Sequence, residues 1–83
     1  MLTQDRFDIQ EYAISNIETY FENYVNYGSY LSFKDYLFTR LTVQLMHKYS
    51  RLDVQEAMDD PRMVAIVDFY TDNTEENDDE QEN

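Results

Sequence analysis

Apolar side chains recur at three- and four-residue steps through the first third of the chain, where Ile9, Ala13, Ile17, Tyr20 and Tyr24 form one stripe. Phe7, Ile14, Phe21 and Val25 widen that stripe on one flank, while Glu11, Ser15, Glu18 and Glu22 fall on the other side. This is the period of an amphipathic helix, and it predicts one from Thr3 or Asp5 to Asn26. Neither Gly nor Pro interrupts the run before Gly28. A glycine tolerates the positive φ that often ends a helix, so Tyr27-Gly28-Ser29-Tyr30 reads as the first turn.

The pattern resumes at Ser32. Ser32 and Asp35 approximate a capping box, the hydroxyl taking a free amide of the first helical turn. Leu37, Leu41, Leu45 and Tyr49 then step by four, flanked by Phe33, Phe38 and Met46. Arg40, Gln44, His47, Lys48 and Arg51 occupy the opposite arc. Several of these bases are expected in the last turns of the second helix, where a cation complements the helix dipole.

Asp53 is expected to cap a short turn through Ala57 and Met58, with Glu56 three residues on. Asp59 and Asp60 precede Pro61, and proline at the first helical position after an Asp cap is a start signal. The run that follows, Met63 to Tyr70, is rich in β-branched residues and reads alternatively as an edge strand added to a partner's sheet. The Pro61 start and the lack of a second strand favour a helix. The expected fold is therefore all-α, a small antiparallel bundle of about three helices.

Charge divides the chain further. Residues 1–33 carry a net −4, residues 34–51 carry +3, residues 52–71 carry −4 and residues 72–83 carry −7. More than half of the total of −12 thus lies in the last twelve residues, which hold no aliphatic or aromatic side chain. A segment of that composition cannot bury a core, so residues 1–71 read as the helical domain and 72–83 as a disordered acidic tail. The rest folds: 42% of the chain is apolar and 16% aromatic, too much hydrophobic surface for a disordered chain. One Gly and one Pro in 83 residues argue against a sandwich or barrel.

The same figures narrow the chemistry. A net charge of −12 repels phosphates, which excludes a conventional nucleic-acid binder. Without cysteine there are no disulfides, thiolate nucleophiles or Cys-based metal sites. No run of about 18 apolar residues spans a membrane, and the start, Met1-Leu2-Thr3-Gln4-Asp5, lacks the basic-then-apolar order of a signal peptide. The single histidine, His47, reads as a polar-face residue near a helix end, and no serine sits at a sharp strand–helix turn. Asp59-Asp60 reads as a helix cap, the tail lacks the glycine of a calcium loop, and one glycine forbids both a P-loop and a dinucleotide fingerprint. The expectation is a protein that is not an enzyme and takes no cofactor or metal.

Binding is the remaining reading. Eight tyrosines exceed what a small core can hold with every hydroxyl satisfied, and tyrosine is enriched at binding surfaces. The cluster Tyr20, Tyr24, Tyr27 and Tyr30 is the first place to expect a partner. Asp8, Glu11, Glu18 and Glu22 form an acidic stripe on the first helix, and Asp53, Glu56, Asp59 and Asp60 supply a second set. Helix positions four apart rise about 6 Å, so such a stripe approximates the phosphates of one DNA strand.

In size, acidity, tyrosine content and helical pattern the chain resembles the small inhibitors that bacteriophages and mobile elements make against host nucleases, including DNA-mimic anti-restriction proteins and several anti-CRISPR proteins. The resemblance covers the whole chain as composition and rests on no motif. It implies an acidic surface that plugs the basic nucleic-acid channel of a host nuclease or other DNA-processing complex, inside a bacterial cytoplasm. No nucleic acid or membrane is contacted directly in that reading. The alternative is a small structural or assembly module that homodimerises through Met46, Met58, Met63 and the third segment.

Overall fold

Four helices and no strand make up the described residues: α1 (Thr3–Tyr27), α2 (Phe33–Leu45), α3 (Arg51–Asp59) and α4 (Pro61–Glu82). The structure, a computed structural model, describes the backbone of residues 3–27 and 30–82 and the side chains of residues 4–27 and 30–72. Gly28 and Ser29, where a turn is expected, lie outside the described residues; the segment 72–83, expected as a disordered tail, instead continues the α4 backbone to Glu82, with its side chains beyond Asp72 outside those described.

The periodic stripes become the core. Ile9, Ala13, Ile17 and Tyr20 of α1 are buried, as are Phe33, Leu37, Leu41 and Leu45 of α2. Val54, Ala57 and Met58 join from α3, and Met63 and Val67 from α4. Burying one such aliphatic side chain contributes about 1.5–3 kcal/mol, so these positions hold the four helices together. The widening residues Phe7 and Val25 do not join them; they remain 47% and 53% exposed. A helix of this width buries only the arc that faces its neighbours.

The expected single third segment is two helices, which raises the count from three to four. The reason is local capping. Ser50, extended at φ −80° and ψ 166°, is the N-cap of α3. Its Oγ accepts from the Asp53 amide at 3.1 Å, and the Asp53 carboxylate accepts from the Ser50 amide at 3.1 Å. Asp53 is thus the third residue of a reciprocal capping box rather than the cap itself. What read as a short turn is nine residues of helix.

α3 stops because of Pro61. A residue preceding proline is pushed out of the helical region, and Asp60 is extended at φ −63° and ψ 135°. Its carboxylate then accepts from the Arg62 amide at 2.9 Å, and its carbonyl accepts from the amides of Met63 and Val64 at 2.9 and 3.0 Å. Asp60 is therefore the cap and Pro61 the first residue of α4, as the sequence predicts. The β-branched run after it is helix, not an edge strand.

α2 also ends sooner than its bases suggest. The helix closes at Leu45, with Lys48 in the turn that follows and Arg51 the first residue of α3. Tyr49 nonetheless stays buried on the Leu37–Leu41–Leu45 line, because its amide still donates to the Leu45 carbonyl at 2.8 Å. The four-residue period outlasts the helix by one hydrogen-bonded turn. Ser32 caps the other end of α2, its Oγ accepting from the Asp35 amide at 3.2 Å.

Candidate functional site

The last three turns of α1 carry alternating acids and apolar residues on one outer face. Glu18, Phe21, Glu22, Val25 and Asn26 from that face, with Tyr70 from α4, line a shallow open pocket of about 280 Å³. Phe21 is its fixed floor. The Phe21 ring meets Phe33 edge-on at 5.1 Å and Tyr70 at 5.1 Å, and Phe33 in turn contacts Tyr24 at 5.4 Å. Aromatic pairs at such distances add stabilisation beyond area burial, so one aromatic cluster ties α1, α2 and α4 together beneath the pocket.

The rim is anionic. Glu18 and Glu22 are exposed and form no hydrogen bond or ion pair among the described residues. Four residues apart, they lie one turn, about 6 Å, from each other along the helix. The Tyr70 phenol is pushed above its ordinary value, first by burial and then by the negative charge of Glu18.

At the end of α1 and just after it two tyrosines stand in solvent. Tyr27 is 82% exposed and Tyr30 fully so. Tyr24 behaves differently: it is half-buried, and its hydroxyl donates to the Leu31 carbonyl at 2.8 Å, pinning the chain just before α2. Tyr20 lies in the core rather than on the tyrosine face. Burial, with the Tyr12 hydroxyl beside it, holds its phenol well above the ordinary value.

Most of the remaining acids in the two expected sets are engaged within the chain. Asp8 accepts from Gln4 Nε2 at 2.9 Å, and Asp59 from Gln55 Nε2 at 3.0 Å. Glu11 pairs with the Arg62 guanidinium. Asp53 accepts from the Ser50 amide in the α3 capping box, Asp60 caps α4, and Asp60 also faces Arg6 at 4.0 Å. Glu56 is half-buried on α3. Of the two expected sets, Glu18, Glu22 and Glu56 have no hydrogen-bond or ion-pair partner among the described residues, and of these Glu18 and Glu22 are the exposed ones, so the stripe along α1 is engaged within the chain at Asp8 and Glu11 and open at Glu18 and Glu22.

Phe21 and Val25, which the hydrophobic pattern places on the flank of the core stripe, line this pocket together with Tyr70 from the run after Pro61. Their sequence signal was available for the first two, since 18, 21, 22 and 25 follow one helical face. Tyr70 enters only through packing. The rival dimer surface changes as well: Met58 and Met63 are 2% and 1% exposed, leaving only Met46 of the three outside.

His47 is exposed in the turn after α2. Among the described residues no three His, Asp or Glu side chains converge to hold a metal ion, and no helix is long and apolar enough to cross a membrane. The pocket offers charge, apolar contact and a phenol, which is the equipment of noncovalent recognition. Comparison with protein families, with curated proteins and with solved structures finds no match.

Proposed function

We propose that the protein is a non-enzymatic inhibitor that docks the outer face of α1 onto the basic nucleic-acid channel of a nuclease or another DNA-processing complex. The observation that carries this reading is the pair Glu18 and Glu22, unneutralised on the rim of an apolar pocket, with exposed Tyr27 and Tyr30 beyond it. The carboxylates substitute for adjacent phosphates of one strand, while Phe21, Val25 and the tyrosines supply the area that slows release. The acids of residues 72–83, the C-terminal part of the chain, add long-range attraction and speed encounter.

The test is competition. Immobilised protein should retain a nucleic-acid-binding protein from a bacterial lysate, and duplex DNA or rising salt should displace it. Reversing both acids (Glu18→Lys with Glu22→Lys) should weaken retention at least about tenfold, because two charge-assisted contacts become repulsive. Retention indifferent to DNA and to charge reversal overturns the proposal.

A further inference from the structure

A second surface, opposite in charge, lies between α2 and α3. Two adjoining open clefts of about 290 and 370 Å³ share one side chain, Arg51. Phe38, Thr39, Thr42 and Val43 line the first; Leu52 and Gln55 line the second. Neither cleft is lined by an acidic residue. The surrounding stretch, residues 34–51, is the one with net positive charge in an acidic chain.

Arg51 is seated but not neutralised. Its Cζ lies 5.6 Å from the centroid of the Phe38 ring, a cation–π contact. Arg6 and Arg62 each face a carboxylate, at Asp60 and Glu11. Arg51 has no carboxylate partner among the described residues. The N–H edge of a guanidinium forms a planar fork suited to a carboxylate. Beside Arg51, Val43 and Leu52 remain 53% and 67% exposed.

We propose that this surface binds an acidic amphipathic segment of a partner protein. One carboxylate of the segment bridges the Arg51 fork, and apolar residues on either side enter the two clefts against Val43 and Leu52. Charge complementarity selects this occupant. An amphipathic segment pairs one carboxylate with the guanidinium that lines both clefts and covers the exposed Val43 and Leu52, whereas a polyphosphate chain has nothing apolar to set against them. The site is separate from the α1 face and does not depend on the function proposed for it.

The experiment titrates the isotope-labelled full-length protein with a synthetic amphipathic helix of Glu and Leu repeats, followed by amide shifts. Saturable shifts should concentrate at Thr39, Thr42, Val43, Arg51, Leu52 and Gln55. Arg51→Glu should weaken binding at least about tenfold, and Leu52→Ser should weaken it severalfold through lost apolar contact. Arg51→Glu should keep the fold, since an acid at the first position of α3 complements the helix dipole. The double reversal of Glu18 and Glu22 should leave this binding unchanged. No saturable shift, shifts confined to α1 and α4, or equal binding by wild type and both variants overturns the proposal. So does sedimentation showing self-association that Arg51→Glu abolishes, which assigns the surface to a second copy.

Discussion

The Gln10 side chain on α1 donates from Nε2 to the carbonyl of Ala57 on α3 at 3.1 Å. In a continuing helix that carbonyl would accept from the amide four residues on, which here is Pro61 and carries no N–H. Gln10, only 4% exposed, replaces the donor that proline removes. Its Oε1 accepts in turn from Arg62 Nη1 at 3.4 Å, so one buried amide joins α1 to both arms of the α3–α4 elbow.

Gln10→Ala should therefore cost about 1–3 kcal/mol, since it strands a buried carbonyl as well as deleting a contact. Gln10→Glu should be comparably damaging at neutral pH, because a carboxylate cannot donate to Ala57. Urea unfolding of the three proteins reads both effects. A loss below about 0.5 kcal/mol in Gln10→Ala would show that the carbonyl is satisfied in another way.

The Arg62–Glu11 pair beside it should matter far less. Both side chains are about half exposed, at 41% and 49%, and exposed ion pairs contribute about 0–1 kcal/mol. A double-mutant cycle with Arg62→Ala and Glu11→Ala should give a coupling in that range that shrinks further in 1 M salt. Arg62→Ala alone should cost more than the coupling, because the guanidinium also covers the Phe7 ring at 5.3 Å and bonds Gln10.

Two buried tyrosines should show different effects on loss of the hydroxyl. The Tyr49 hydroxyl is buried without a hydrogen-bond partner among the described residues, so Tyr49→Phe should be neutral or stabilise by about 1 kcal/mol. Tyr20 sets the alkaline limit. Its phenol and that of Tyr70 are both raised in the folded state, by burial first. Below the ordinary phenol value of about 10 both states are protonated and stability is unaffected. Above it the unfolded chain ionises while the folded chain holds its protons, so stability falls with rising pH, by up to about 1.4 kcal/mol per pH unit for each group. Tyr20→Phe should flatten that fall between pH 10 and 12 in denaturant titrations at fixed ionic strength.

Capping and core positions give a last comparison. Ser50→Ala removes the acceptor of the α3 capping box and should cost about 1 kcal/mol. Leu37→Ala, at a fully buried position on α2, should cost about 2–5 kcal/mol. Equal losses in the two variants would mean that the α3 cap matters as much as a fully buried core leucine.

The stripe Ile9–Ala13–Ile17–Tyr20, the line Leu37–Leu41–Leu45–Tyr49 and the Asp60–Pro61 start were legible because each is a local rule, set by helical period or by the geometry of proline. α3 was missed for a local reason too: Ser50 stands two residues before Leu52, and an Asp three residues after a Ser was read as a cap instead of its reciprocal partner. Which polar groups are free was not legible at all. Asp8, Glu11, Asp59 and Asp60 look equivalent to Glu18 and Glu22 in sequence, yet the first four find donors on Gln4, Arg62, Gln55 and the α4 backbone. Gln10 likewise reads as an ordinary polar residue. Helical period depends on neighbours a few positions apart, so the chain alone determined its helices and their buried faces. The open rim at Glu18 and Glu22, the pairing of Gln10 with Ala57 and the seating of Arg51 on Phe38 depend on groups brought together from separate helices or left without them, and only the packed structure decides that.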